Sequence, residues 1–421
     1  LASQALLEGD IIARGADRDV DLKALGQLRI QGLIQADDAV TLTGGVDAHS
    51  LWIDNTATVR AAQAGGSITL QGPNEVFVDG TVETLLDDQT ITIASTQGTV
   101  TLNETSGRIN AAGQLDISGI ILNLQGPITS TFNSGTSTPE IRLDAVDSIL
   151  FGTDLIGHSD AKVLISNGAT MTMVDASMDV GNVTINGGHL VMGAVVDGVR
   201  RGATMMAAHS VEIGLWGDLT IDAAARIVTS DADSTINIDV TALDTIGTIY
   251  AGATADSGVL TATGDTADVV ITVADQLSMG TRQAAGVAYG GNIRATGDIT
   301  LSGGAGYRDT AYPGTGLWVD ARSTVESMNV AGDGSGTVTL NTQRNMMLNG
   351  YVLAKGAGGV VDINAGKEAN ISGVITGHTS VDISGGQTDS FGFSVQTSEL
   401  LYRMNREVLD TNGAQVIGAN T

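Results

Sequence analysis

Apolar and polar residues alternate along most of the chain in short runs closed by Gly, Asn, Ser or Asp. Val20-Asp21-Leu22, Leu28-Arg29-Ile30, Val40-Thr41-Leu42 and Val338-Thr339-Leu340 are examples. A period of two predicts half-buried β-strands. Residues 337–394 read as three stacked lines, opened by Val338-Thr339-Leu340, Val361-Asp362-Ile363 and Val381-Asp382-Ile383. Met346-Met347-Leu348 and Ala369-Asn370-Ile371 follow in the first two lines, eight residues on, and the line lengths are 23 and 20 residues. A unit this short cannot bury its own apolar face, so units must stack at roughly 4.8 Å into one continuous core. The same eight-residue step joins Leu22 to Ile30, Leu70 to Val78 and Ile213 to Ile221. The pattern therefore predicts an all-β β-solenoid over 1–397, with three short sheets, coils of about 20–23 residues and room for around twenty coils.

A longer repeat is superimposed, with copy 1 from about residue 19 and copy 2 from about residue 268. Leu51-Trp52-Ile53-Asp54 recurs as Leu317-Trp318-Val319-Asp320, and Val40-Thr41-Leu42-Thr43-Gly44-Gly45 as Ile299-Thr300-Leu301-Ser302-Gly303-Gly304. The offset grows from 249 to 259, 266 and 270, so copy 2 gains ten, seven and four residues at three places. Such gains belong in loops. Two regions leave the triplet pattern. One is 195–209, with Arg200, Arg201, Met205 and Met206. The other is 398–409, where Leu400, Leu401, Met404 and Val408 fall at helical spacing after Ser398. The segment 398–421 is expected to be a short helix or loop that caps or connects the solenoid.

Composition supports a folded, elongated array. Gly numbers 56 and Pro 4, aromatics make up 3% and hydrophobic residues 42%, which excludes collagen and general disorder. The 47 acidic residues against 20 basic ones give a net charge of −27, which argues against nucleic acid and anionic lipid as partners. There is no cysteine, hence no disulfide, thiolate site or thiol nucleophile. No signal peptide and no apolar run of membrane-spanning length is legible, and the sequence reads as a piece of something longer.

Three phrases, Gly336-Thr337-Val338-Thr339-Leu340-Asn341, Ala369-Asn370-Ile371-Ser372-Gly373-Val374-Ile375 and Ser380-Val381-Asp382-Ile383-Ser384-Gly385-Gly386, resemble the repeats of filamentous haemagglutinin-like large exported adhesins. The resemblance is carried mainly by residues 337–386 and 19–102. It implies a right-handed parallel β-helix with three short parallel sheets, export to the bacterial surface and a role as an adhesin or matrix fibre, although no N-terminal secretion module of that family is recognisable. The expected function is a structural and adhesive segment of an extracellular fibre, a rigid spacer presenting loops. The competing classes are a polysaccharide lyase or hydrolase on the same fold and a self-associating filament subunit.

Candidate chemistry is sparse. His49, His158, His189, His209 and His378 are scattered and form no zinc-protease pairing. Asp17, Asp19 and Asp21 share one face of an extended segment about 6.8 Å apart, which reads as a solvated face before a calcium site. Asp231-Ala232-Asp233-Ser234-Thr235 begins like an EF-hand loop but has Ile236 where glycine is needed. No cofactor is expected, and calcium has no motif. Asp37-Asp38 and Asp87-Asp88 precede strands and read as turn residues, not as a paired-carboxylate site. The candidate ligand-binding residues are Tyr307, Arg308, Asp309 and Tyr312, in a Gly-rich gain of copy 2 that reads either as a binding loop or as a Tyr-anchored loop packed on its own coil, with Trp318 and its counterpart Trp52, whose indoles alternation turns outward, as stacking platforms or packed under loops. Carbohydrate, cell-surface ligands or further copies of the chain are the expected partners.

Overall fold

A computed structural model of the chain describes residues 4–15, 18–86, 88–130, 140–256, 259–262, 266–280, 289–304, 314–328, 336–356, 358–385, 400–403, 408–409 and 415–418. These residues hold no helix and form a parallel β-solenoid of about 14 turns. The chain divides into two compact units, Leu1–Leu190 and Val191–Thr421.

In the first unit one coil consists of Ala39–Thr43, His49–Ile53 and Thr58–Ala61. Each strand pairs in parallel with its counterpart one coil on, in Ser67–Gly72, Glu75–Val78 and Thr81–Thr84. Val40, Ile68, Ile91, Leu115, Ile141 and Val163 form one such register row and are all fully buried. Stacked β-branched and γ-branched side chains fill this row without rings. Each contributes about 1.5–3 kcal/mol by leaving water. From Gln114 onward, strands such as Gln114–Leu124 and Glu140–Phe151 run through the corner between two sheets without a break. The two halves of Gln114–Leu124 pair with separate strands of the preceding coil, Thr90–Ser95 and Thr99–Leu102, and Glu140–Phe151 pairs in turn with Gln114–Leu124 through a register shift between Gly119 and Ile121.

The second unit repeats the plan, with Val269, Ile299, Val338, Val361 and Val381 in one row. The long repeat is a repeat of register. Leu28–Leu51–Val76 in the first unit has its equivalent in Leu277–Leu317–Met346 in the second. The three gains of copy 2 fall between the described strands that end at Met279, Gly303 and Ser327 and those that begin at Asn292, Thr315 and Val338, and most of the gained residues lie outside the described residues. Coil length consequently varies from 20 residues between Val361 and Val381 to 39 between Ile299 and Val338. The described strands on either side of each gain keep their pairing, and because most coils are longer than 20 residues the chain makes about 14 turns and not the twenty expected from a uniform short coil.

The irregular stretch at 195–209 contains an antiparallel hairpin, Ala194–Val196 against Val199–Arg201. Its turn residues Asp197 and Gly198 both have positive φ, 51° and 78°, the two-residue geometry that Asp-Gly favours. A second hairpin pairs Ala253–Asp256 with Val259–Ala262. The helical spacing expected over 398–409 is corrected by the structure, where Leu400–Arg403 and Val408–Leu409 are strands. Leu400–Arg403 pairs antiparallel with Ser380–Gly385, so its backbone groups satisfy a strand edge, a role a helix cannot perform.

Candidate functional site

Outward residues of one sheet in the first unit form the row Arg29, Trp52, Phe77 and Thr101. The Arg29 guanidinium lies 4.2 Å from the Trp52 ring centre, and Phe77 meets Trp52 edge-on at 5.6 Å. His49 packs against both rings, 5.4 Å from Trp52 and 5.8 Å from Phe77, and contacts Glu75 through Nδ1. Glu75 accepts a hydrogen bond from Thr101 Oγ1 at 2.6 Å. Arg29 also donates to Asp54. Burial works to raise the Asp54 carboxyl, but the hydrogen bonds from Arg29 and Gln31 and the Arg29 charge outweigh it and hold it below the usual carboxylate range. Trp52 is thus half-buried in a stack that uses its own neighbours, and its indole N–H has no hydrogen-bond partner.

The equivalent row in the second unit is Ser278, Trp318 and Met347. Trp318 stands in the outward register but is only 5% exposed, and Ser278 likewise. Tyr307, Arg308, Asp309 and Tyr312 lie outside the described residues. On the next sheet the outward row Val228, Tyr250, Arg294 and Glu326 is also covered at Val228, Tyr250 and Glu326. Tyr250 packs with Val228 and Met328 in a small apolar cluster separate from the main interior, and burial raises its phenol pKa. Glu326 is paired with Arg294 at 3.1 Å and with Lys355. Alternation reports which way these side chains point, but not that something lies over them.

A third arrangement had no sequence signal. At one corner of the second unit an open groove of about 380 Å³ is lined by Thr272, Ser302, Asn341, Asn364, Gln343 and Thr342, with Val273, Ala365 and two glycines. Thr272, Ser302, Asn341 and Asn364 are one register row, a residue per coil. The corner row beside it drops from Val273 to Gly303, then rises to Thr342 and Ala365. A Cβ at Gly303 would lie 2.3 Å from the Gly316 carbonyl oxygen, so close approach of two backbones requires the missing side chain and leaves the depression.

Much of the acidic surplus has a structural use. Asp47, Asp10 and Asp19 accept the backbone N–H groups of Gln27, Leu33 and Ala39, at 2.8, 2.9 and 3.1 Å, from neighbouring coils. Asp37 does the same for Gly15 at 2.6 Å and also holds Gln63 at 3.0 Å, a turn role; Asp87 lies outside the described residues. His209 faces Asp231 at 2.6 Å, and among the described residues no three of His, Cys, Asp and Glu come together as a metal site would need. Compared with known families, curated proteins and solved structures, the chain matches none. The fold therefore defines its class, a parallel β-solenoid repeat protein, on its own evidence.

Proposed function

We propose that the chain is a structural and adhesive segment of a long fibre on a bacterial surface, of the filamentous haemagglutinin-like kind. In this reading it works outside the cell as a spacer that presents loops, and its coils take the right hand that crossovers between parallel strands prefer. The observation that supports it is the separation of tasks within each unit. Among the described residues the parallel ladder and its buried row run from coil to coil, while coil length varies between the strands, and the hairpin Ala194–Arg201 stands outside the ladder. Loops on a rigid scaffold are free to take up recognition.

The test is adhesion of beads coated with the purified chain to cells and to immobilised glycans, run beside depolymerisation assays on a polysaccharide panel. Specific retention of beads with no release of cleaved products is the expected result. Failure to adhere would sink the adhesive reading, and release of unsaturated or reducing ends would favour the lyase or hydrolase instead.

A further inference from the structure

We propose that the corner groove of the second unit binds an uncharged oligosaccharide lying along the solenoid axis. This deepens the adhesive reading by naming the ligand class of one site. None of the groove's lining residues is charged, in a chain with a net charge of −27. Its walls offer hydroxyls and carboxamides, groups that both donate and accept, over an apolar floor at Val273 and Ala365. That is the complement of a polyhydroxylated, neutral ring with apolar C–H faces.

The donors are oriented. Asp362 can only accept, so the Asn364 amide nitrogen is turned toward it at 3.2 Å and donates its second hydrogen to Asn341 Oδ1 at 3.1 Å. Asn364 Oδ1 accepts from Ser384 Oγ, which fixes the same orientation from the other side. Asn341 must then present its NH₂ group away from Asn364. The hydroxyls of Thr272 and Ser302 occupy the two preceding rungs of the row. Successive rungs are about 4.8 Å apart, so polar groups recur at an interval comparable to one sugar residue.

The same corner carries an exposed aromatic ring. Thr241 donates through Oγ1 to the Trp216 carbonyl at 2.8 Å, and Asp275 N donates to Thr241 O at 2.8 Å, which puts Trp216 two coils before the Val273 end of the groove. Trp216 is 68% exposed, and an indole at that place offers a stacking face to the ligand's extension. An added peptide strand is a poor occupant, because the strands bearing the groove are already paired on both sides. Arg344 and Lys367 follow Gln343 and Gly366 in the chain, so an anionic glycan is the competitor to be tested.

Calorimetric titration of the intact chain with cellohexaose, maltohexaose, chitohexaose and, as the anionic arm, a polygalacturonate hexamer decides the matter. At least one neutral hexasaccharide should bind and the anionic one should not. Asn341→Asp keeps the acceptor facing Asn364 and removes the NH₂ donors, and Ser302→Tyr fills the groove from an outward position. Each should weaken that binding at least tenfold with an unchanged melting temperature. Trp216→Ala should weaken the hexasaccharide more than the matching disaccharide. Absence of neutral binding, preference for the anionic hexamer, or full affinity in both groove variants overturns the proposal. Loss of glycan binding in these variants with bead adhesion intact would confirm the groove while placing cell adhesion elsewhere; retained adhesion without any glycan binding by the parent chain would overturn the groove alone.

Discussion

At the scale of single residues, alternation assigns neighbours to opposite environments. Ile371 is 7% exposed and Asn370 is exposed, although they are adjacent. Ile371→Asp removes an apolar contribution of about 1.5–3 kcal/mol and buries a charge with no partner, a larger penalty. Asn370→Asp should leave the melting temperature nearly unchanged while Ile371→Asp lowers it by several degrees; equal melting curves would refute the register. Asp268 tests charge instead of packing. Burial raises its carboxyl pKa, with the Asp298 charge adding to the shift and the Asp298 N–H opposing it at 2.7 Å. A folded pKa above the unfolded value of about 3.9 means that the ionised group costs stability at neutral pH, a cost that disappears as pH falls below both values. Asp268→Asn keeps the acceptor for Asp298 N–H and should raise the melting temperature at pH 7, with the advantage shrinking toward pH 3. A gain that is constant across that range would show that charge is not its source.

At the scale of elements, strands were legible and their surroundings were not. Triplets such as Val338-Thr339-Leu340 and Val361-Asp362-Ile363 specify both the strand and its inward face, and the eight-residue step gives the next sheet. The offsets between copies locate the gains, and the described strands that flank each gain keep their register. The burial of Trp318 and Tyr250 was hidden because period-two patterning encodes direction and not coverage. The groove was hidden because Thr272, Ser302 and Asn341 are 30 and 39 residues apart and meet only through stacking register. The hairpin at Ala194–Arg201 did carry a signal, the Asp-Gly turn in Val196-Asp197-Gly198-Val199, which lies outside the triplet pattern. It sits outside the parallel ladder, tied down by Arg200, which pairs with Asp222 and stacks 4.2 Å over Tyr289. Gly198→Val forces a β-branched residue to φ of 78° and should disorder this turn. Hydrogen exchange should rise at Ala194–Arg201 and stay slow at Arg226–Thr229, where the ladder to Thr204 continues; spread of the exchange into that strand would mean the hairpin supports the coil.

At the scale of the whole molecule, stability in such an array is close to a sum of coil and neighbour terms. In both units the register links each coil to the one before and the one after. Damage should therefore propagate by coils and fade with distance, unlike a single-core domain that melts as one. Ile371→Asp breaks the row Leu348–Ile371, and its effect should be greatest in Asn345–Leu348 and Val360–Ala365, smaller at Val269 and absent at Ile68 and Ile91 of the first unit. Electrostatics acts on all coils together. A net charge of −27 repels itself, and raising ionic strength from 0.01 to 0.15 M shortens the screening length from about 30 to 8 Å. Salt should raise the melting temperature of the parent and of Ile371→Asp by the same amount, because screening does not depend on the damaged coil. Hydrogen exchange followed by mass spectrometry separates the two effects. Protection that falls uniformly through both units in Ile371→Asp would show one cooperative block, and protection lost only around residue 371 would show that the fold stands coil by coil.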